Sequence, residues 1–224
     1  FLVGTGVPAL ADSVRLTRAA CELGFAGALV LPPFFYPDIS DDGLLAYVDA
    51  LIAAVDHPRL AVYLYHIPQN TKVPWPVAVV AKLRERHGER LAGLKDSAGD
   101  LAYSRAVVAA VPGIDVFPSS EAVLATADVE GFAGCISATV NLTAVASQAA
   151  WSGRGTPAGV AAARKAAELR AIVARHPLVA AVKAGLAARY DDDAWARVCP
   201  PLVPLAAERA AELRTAFDQR AAQP

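Results

Sequence analysis

The stretch Gly93-Leu94-Lys95-Asp96-Ser97-Ala98-Gly99-Asp100 contains the end of an apolar run and the polar turn that follows it. The run Leu91–Lys95 predicts a strand, and the segment Asp100–Ala110 after the turn predicts a helix. The same order of strand and helix recurs along the chain as far as Trp151. The predicted strands are Phe1–Gly6, Ala26–Leu31, Leu60–Tyr65, Leu91–Lys95, Ile114–Phe117 and Gly131–Ala138.

Longer segments with helical periodicity separate these strands. They are Asp12–Leu23, Asp41–Val55, Pro76–Arg86, Asp100–Ala110, Glu121–Asp128 and Leu142–Trp151. The strands are nearly continuous apolar runs, which is typical of a parallel sheet covered by helices. Two architectures fit this pattern, an eight-stranded (β/α)8 barrel and an open doubly wound sheet. The first turn, Gly4-Thr5-Gly6, lacks the full glycine pattern of a dinucleotide-binding fold.

The pattern changes after Gly153-Arg154-Gly155. Three helical segments follow with no strand between them, and prolines separate them. The sequence therefore predicts two parts, a partial barrel over residues 1–153 and a helical appendage over residues 154–224. The three predicted helices of the appendage are Thr156–Arg175, Leu178–Arg189 and Leu202–Ala222.

Composition excludes several classes of protein. The formal net charge of the 224 residues is −1 and 55% of them are hydrophobic, which favours a folded domain and argues against nucleic acid as a partner. No apolar run approaches the length of a membrane span, so we expect no membrane partner. Three distant cysteines, Cys21, Cys135 and Cys199, indicate reduced thiols in a cytoplasmic protein. No cluster of side chains has the spacing of metal ligands.

Lys95 and Tyr65 each end a predicted strand, and ligands bind at that end of the strands in parallel α/β folds. A lysine among apolar neighbours loses hydration, which favours the neutral amine that Schiff-base chemistry requires. A tyrosine within reach could relay protons to and from the adduct. The residues alone leave a structural alternative open, in which Lys95 pairs with a carboxylate such as Asp96.

Two segments resemble the signature regions of the dihydrodipicolinate synthase / N-acetylneuraminate lyase family. They are Tyr65-His66-Ile67-Pro68 and Gly93-Leu94-Lys95-Asp96-Ser97-Ala98-Gly99-Asp100. Other segments fit the same family in the same order, and the resemblance covers essentially the whole chain. These are Gly4-Thr5-Gly6, Pro32-Pro33-Phe34-Phe35, Gly134-Cys135-Ile136-Ser137-Ala138-Thr139-Val140-Asn141, Val182-Lys183 and Pro200-Pro201-Leu202.

The resemblance implies a (β/α)8 TIM barrel with a C-terminal helical bundle, assembled as a homotetramer or homodimer. It implies class I aldolase chemistry on a 2-oxo acid such as pyruvate, with an aldehyde as the second partner. Lys95 would form the imine, Tyr65 would relay protons, and Ile136 would line the pyruvate pocket. A protonated imine is itself an electron sink, so neither a cofactor nor a metal is implied.

The chain departs from the family upstream. Members carry two further strand–helix units, including a loop that holds the substrate carboxylate, and nothing in this sequence matches that loop. We therefore expect a (β/α)8 barrel that lacks its first two βα units, so that residues 1–153 supply strands 3 to 8. Six strands cannot close an eight-stranded barrel.

Other departures affect the site. Phe34 and Phe35 stand where members often carry a tyrosine that extends the proton relay from a neighbouring subunit. Asn70 stands at the place of an arginine that binds the second substrate in true dihydrodipicolinate synthases, and Ser119 stands where glycine is common. Asn70 and Ser119 are thus candidate substrate-binding residues with altered chemistry.

Three functions follow from these residues. The first is a pyruvate-type aldolase, which the Lys-Asp-Ser-x-Gly-Asp form of the second signature favours. The second is dihydrodipicolinate synthase (4-hydroxy-tetrahydrodipicolinate synthase) itself, and the third is a non-catalytic relative. For the neighbours of the two catalytic candidates, we expect His66 to face the helical layer, Asp96 to orient the loop after Lys95, and Glu121 to cap a helix.

Overall fold

The computed structural model describes residues 1–223 and contains one parallel sheet of five strands. The strands lie side by side in the order in which they occur in the chain. Each pair is joined by a segment that contains a helix, as parallel neighbours require. The strands are β1 (Leu2–Gly4), β2 (Gly27–Val30), β3 (Val62–His66), β4 (Leu91–Asp96) and β5 (Asp115–Pro118).

The helices occupy the intervals between strands and most of the later chain. They are α1 (Leu10–Glu22), α2 (Asp41–Val55), α3 (Pro68–Thr71), α4 (Val77–His87), α5 (Leu101–Ala110), α6 (Ala127–Glu130), α7 (Val140–Ser152), α8 (Pro157–Val173), α9 (Leu178–Tyr190) and α10 (Ala207–Ala222). Short 3-10 turns cover Gly88–Arg90, Glu121–Thr126 and Asp193–Ala196.

Side-chain caps explain where several helices begin. The Ser40 side chain accepts a hydrogen bond from the Gly43 N–H at the start of α2. The Asp100 side chain likewise caps α5 by accepting a hydrogen bond from the Ala102 N–H. Thr156 caps α8, where Pro157 occupies the first turn and loses no hydrogen bond there.

The register of the sheet stacks side chains in rows. On one face, which we call the site face, Tyr65, Lys95 and Phe117 form an upper row near the carboxyl ends of the strands. Two residues earlier, Tyr63, Gly93 and Asp115 form a lower row on the same face. The opposite face is covered by helices, because α1, α4 and α5 contact β2, β4 and β5, and its middle residues are fully buried. These are Val30, Leu64, Leu94 and Val116.

The predicted sixth strand, Gly131–Ala138, is wrong. Ala133 N–H donates to the carbonyl of Val116 at 3.0 Å, but no ladder follows among residues 1–223. A ladder needs extended backbone at consecutive residues, whereas Gly131 and Gly134 have φ angles of 72° and 144°. The segment is therefore an irregular connection to α7.

The last predicted helix also begins later than expected, at Ala207 instead of Leu202. Pro204 explains the difference, because a residue that precedes proline is disfavoured in helical conformation. Leu202 and Val203 therefore stay outside the helix and are exposed.

The contacts divide the chain into two compact units. The first contains Phe1–Pro118 and Glu130–Ala133, and the second contains Ser119–Val129 and the described chain from Gly134 onward. The first unit holds the sheet, and the second is helical. The domain limits of 1–153 and 154–224 remain a prediction.

Within residues 1–223, no helix taken singly has both the length and the apolar character needed to cross a membrane. Among the helices of the described chain, α8 and α9 satisfy such a criterion only when taken together, and the pair bends by 109° at the break between them.

Candidate active site

Lys95 and Tyr65 lie side by side on the site face, on two neighbouring strands. They are directly paired in the register of β4 and β3, and the Lys95 Nζ lies 4.0 Å from the centroid of the Tyr65 ring. Both side chains are half-buried. A lysine ammonium over the face of an aromatic ring is attracted by the electron density of the ring. The predicted proximity of the two residues is thus confirmed, while their catalytic roles remain predictions.

Asp96 does not pair with Lys95. Consecutive residues of a strand face opposite ways, so the Asp96 carboxylate lies on the helical side of the sheet and is 2% exposed. Its Oδ1 accepts a hydrogen bond from the Ala98 N–H at 2.8 Å, and its Oδ2 accepts one from Ser104 Oγ at 2.7 Å. The structure thus removes the alternative of a Lys95–Asp96 pair and confirms that Asp96 orients the loop after β4.

His66 lies behind Tyr65, on the helical side as predicted. Its ring stacks on that of Tyr103 with centroids 3.9 Å apart, and its Nδ1 accepts a hydrogen bond from the Trp75 N–H at 3.1 Å. Burial lowers the pKa of His66, and the nearby Asp96 carboxylate opposes that shift in part. Burial, with a contribution from Asp96, raises the pKa of Tyr103, whose hydroxyl donates to the Trp75 carbonyl at 2.6 Å.

The lower row brings together two polar side chains that the sequence patterns did not single out. The Tyr63 hydroxyl donates to Asp115 Oδ2 at 3.0 Å, across the strand that carries Lys95. Burial, and then the hydrogen bond and charge of Asp115, raise the pKa of Tyr63 to about 12. Asp115 is the one charged residue in the predicted strand Ile114–Phe117, and that charge was the available signal.

Gly93 makes room for this contact. A Cβ atom at Gly93 would lie 2.4 Å from two carbons of the Tyr63 ring. On the other side of the ring, a Cβ atom at Gly27 would lie 2.7 Å from Tyr63 Cε2. The ring therefore lies flat across β2, β3 and β4, and two glycines permit it.

Two hydrogen bonds join the loop after β3 to the loop after β4. Gln69 Nε2 donates to the Ser97 carbonyl at 2.6 Å, and the Ser97 N–H donates to the His66 carbonyl at 2.8 Å. Asn70, a predicted substrate-binding residue, lies in α3 beside Gln69 and is exposed. Its role remains a prediction.

The other predicted binding residues lie in the second unit. Ile136 and Ser119 are both half-buried there, and their roles remain predictions. In the first unit, Phe34 is half-buried, whereas Phe35 is 71% and Tyr36 is 75% exposed.

A second polar cluster, also missed from the sequence, is centred on Glu121 in the second unit. The side chain is fully buried, and its carboxylate accepts hydrogen bonds from Thr139, from Thr143 at 3.1 Å and from Arg170 at 3.3 Å. The expected capping role is wrong, because the turn at Glu121 is capped by the Ser120 hydroxyl. A buried charge needs such partners, so tertiary contacts decide the role of Glu121.

The same cluster fixes the segment around Ile136. Arg170 Nη1 also donates to Ser137 Oγ at 2.7 Å. Burial, reinforced by Glu121 and opposed by Arg170, raises the pKa of the neighbouring Cys135 to about 12.

Among residues 1–223, no three His, Cys, Asp or Glu side chains are grouped so that they could hold a metal ion.

Comparison with known proteins identifies the family. The model of the dihydrodipicolinate synthetase family matches residues 1–220. An uncharacterized DapA-like lyase of Chloroflexus aurantiacus is 35% identical over 225 residues, which cover 97% of this chain and 73% of the relative. A 4-hydroxy-tetrahydrodipicolinate synthase of Rhodospirillum centenum is 32% identical over 142 residues, or 63% of this chain and 47% of the relative.

Solved structures show the same fold. The dihydrodipicolinate synthase of Acinetobacter baumannii, complexed with pyruvate, superposes with a TM-score of 0.85 at 26% identity. The match covers 98% of this chain and 74% of that structure. The chain therefore belongs to the dihydrodipicolinate synthetase family, a family of lyases, and its α/β fold matches the TIM-barrel structures of that family.

Proposed function

We propose that this chain acts in a lyase that cleaves or forms a carbon–carbon bond of a 2-oxo acid through a Schiff base on Lys95. The observation that carries the proposal is the placement of the Lys95 Nζ over the Tyr65 ring, at the carboxyl ends of two adjacent strands. Membership in a family of lyases supports it. The pyruvate bound in the Acinetobacter baumannii relative supports a pyruvate-type substrate.

The chemistry requires few groups. The neutral amine of Lys95 attacks the ketone carbon, water leaves, and a protonated imine forms. A base removes the proton of the hydroxyl on the carbon β to the imine carbon, and the bond between the α- and β-carbons breaks. The β-carbon leaves as the aldehyde, and the protonated imine takes up the electron pair of the broken bond to become an enamine. Protonation of the enamine and hydrolysis of the imine then release the 2-oxo acid and the free lysine. Tyr65 gives and takes the protons of these steps.

The remaining site residues complete the proposal. Ile136 lines the pyruvate pocket, and Asn70 and Ser119 contact the substrate from the loops that carry them. The assignment of the five strands to the third and later strands of a (β/α)8 barrel is part of the same hypothesis. Assembly as a homodimer or homotetramer and a cytoplasmic location also remain predictions.

The second candidate is 4-hydroxy-tetrahydrodipicolinate synthase. Relatives that carry this name at 32% identity favour it, whereas Asn70 in place of the expected arginine does not. Consumption of aspartate semialdehyde together with pyruvate would distinguish this candidate from other aldolases. The third candidate is a non-catalytic relative, to which Phe34 and Phe35 point because phenylalanine cannot pass a proton.

The test is reductive trapping. The chain is incubated with pyruvate and borohydride, and intact mass and peptide mapping locate the adduct. We expect one adduct on Lys95, none in Lys95→Ala, and an unchanged adduct in Lys82→Ala, which removes an exposed lysine of α4. A full-length wild-type protein that folds and forms no adduct would overturn the Schiff-base proposal and favour the non-catalytic candidate.

A further inference from the structure

Within the described chain, the side chains of Lys95 and Tyr65 are not held by polar contacts of their own. The Lys95 Nζ and the Tyr65 hydroxyl form no hydrogen bond or ion pair with residues 1–223. Their mutual contact is the 4.0 Å approach of the amine to the centroid of the ring. The placement of the two groups therefore depends on the backbone at the carboxyl ends of β3 and β4.

The next residue on each of these strands is anchored on the opposite face of the sheet. His66 follows Tyr65, Asp96 follows Lys95, and the two later residues are partners in the register. Both are buried on the helical side. A buried imidazole and a buried carboxylate each require polar partners, so the partners of these groups constrain the two strand ends.

Two consecutive residues of α5 supply these contacts. The Tyr103 ring stacks on the His66 ring with centroids 3.9 Å apart and planes 14° apart, and Ser104 Oγ donates to Asp96 Oδ2 at 2.7 Å. The Tyr103 hydroxyl donates to the Trp75 carbonyl at 2.6 Å, and the Trp75 N–H donates to His66 Nδ1 at 3.1 Å. Ser104 and Trp75 are fully buried, so solvent does not compete for these bonds.

The turn after β4 joins the helix to both strands. Its first residue, Ser97, donates its N–H to the His66 carbonyl at 2.8 Å. The Ala98 N–H donates to Asp96 Oδ1 at 2.8 Å, and Asp100 caps α5. The two strand ends, the turn and the first turn of α5 thus form one connected set of contacts, in which each α5 side chain holds one strand.

We propose that Tyr103 and Ser104 are positioning residues that hold Lys95 over the Tyr65 ring, each through the buried residue that follows one of the two on its strand. The consequence for the reaction rests on the proposed function. Attack by the amine and proton transfer by the phenol require both groups at one place, and a displacement of about 1 Å can cost about 100-fold in rate.

The first readout measures this placement without any substrate. The lysines of the full-length protein are reductively methylated with ¹³C-labelled formaldehyde, and the methyl resonance of Lys95 is identified by its absence in Lys95→Arg. The methylated amine keeps its charge, and its position over an aromatic ring gives its methyl groups a ring-current shift. Tyr65→Leu should abolish that shift.

The variants remove one α5 contact at a time. Ser104→Ala removes the hydroxyl that holds Asp96, and Tyr103→Leu removes the ring that holds His66. We expect each to reduce the ring-current shift of Lys95. In reductive trapping at saturating pyruvate, each should slow adduct formation by up to about 100-fold and leave the half-saturating pyruvate concentration unchanged. Tyr103→Phe keeps the stacked ring and should stay closer to the wild type than Tyr103→Leu.

Val107→Ala is the matched control for a general loss of stability. Val107 is fully buried in α5, one turn after Tyr103, and its truncation leaves the polar and ring contacts of the two strand ends intact. It should keep the wild-type shift and trapping rate, and urea unfolding shows which variants are folded. Ser104→Ala and Tyr103→Leu act on different strands, so either one that folds is a sufficient test. A wild-type ring-current shift in the folded variants would overturn the inference, and so would an equal change in Val107→Ala.

The two readouts separate this inference from the proposed function. If the wild-type protein forms no adduct but the α5 variants still change the ring-current shift, the Schiff-base function fails and the positioning of Lys95 stands. If every variant traps pyruvate at the wild-type rate and keeps the wild-type shift, the function stands and the inference fails. A changed shift with unchanged trapping would also overturn the inference, because the placement would then not matter to the reaction.

Discussion

The Lys95 Nζ lies 4.0 Å from the centre of the Tyr65 ring, and the two residues are direct partners in the register of neighbouring strands. Tyr65 therefore offers two separable features, an aromatic face toward the amine and a hydroxyl that can move a proton. The contact holds Lys95 without a carboxylate partner. Substitutions at Tyr65 can test the two features separately.

We predict that Tyr65→Phe retains the pyruvate adduct but turns over slowly. The ring face that contacts Lys95 is preserved, whereas loss of a proton relay typically costs about 10²- to 10⁴-fold in rate. Tyr65→Leu should also weaken the formation of the adduct, because the cation–π contact is lost. Single-turnover trapping and steady-state rates on the same preparations check this, and equal turnover by Tyr65→Phe and the wild type would exclude the relay.

Gly93→Ala should destabilise the first unit. Its Cβ atom would lie 2.4 Å from the Tyr63 ring and 2.6 Å from the Asp115 carbonyl oxygen, so ring and backbone must both shift. Overpacking of this kind costs about 1–3 kcal/mol of unfolding free energy. Gly4→Ala in β1 is the matched control, because a Cβ atom there meets nothing within 4 Å. Urea unfolding measures both variants, and equal midpoints would contradict the close approach.

Low pH should reduce the free energy of unfolding, in part because the buried His66 disfavours protonation in the folded state. Burial lowers the pKa of the folded imidazole below its usual value of about 6.5, so the folded state favours the neutral ring. This contribution to stability is complete above pH 6.5 and is lost as the pH falls toward the folded pKa. Urea unfolding midpoints should fall between pH 8 and pH 5, and His66→Asn should make the midpoint depend less steeply on pH. An unchanged slope in that variant would assign the acid sensitivity to other groups.

Removal of Arg170 should be more harmful than removal of the whole ion pair. Arg170→Met leaves the fully buried Glu121 carboxylate without its cation, which costs about 3 kcal/mol. Arg170→Met combined with Glu121→Gln should be more stable than Arg170→Met alone, because no buried charge then remains unpaired. Unfolding of the two single variants and the double variant forms a double-mutant cycle. Additive losses would show that the pair is uncoupled.

The three thiols should differ in reactivity. Cys199 is exposed, Cys21 is buried with a raised pKa, and the pKa of Cys135 is about 12. The thiolate is the reactive form, so iodoacetamide at pH 8 should modify Cys199 first. Cys199→Ser should remove the fast phase and leave the slow phases unchanged. Rapid alkylation of Cys135 in the folded chain would contradict the raised pKa that burial gives this thiol.

Local signals were sufficient for most elements. Periodicity and turn residues predicted the strands β1 to β5, because these depend on the residues of each short segment. The same reasoning failed at Gly131–Ala138, where apolar composition favours a strand but two glycines adopt positive φ angles. It also failed at the start of α10, where Pro204 excludes the preceding residues from the helix.

The sequence by itself determined the family, the five strands and the candidates Lys95 and Tyr65, because each depends on a local pattern or motif. Only the tertiary structure decided the partners of buried charges. Tyr63 and Asp115 are 52 residues apart, and Glu121 and Arg170 are 49 apart. Strand register joins the first pair and helix packing joins the second, and neither can be read from spacing along the chain. A buried polar group must find a partner in the fold, and its position in three dimensions selects which one.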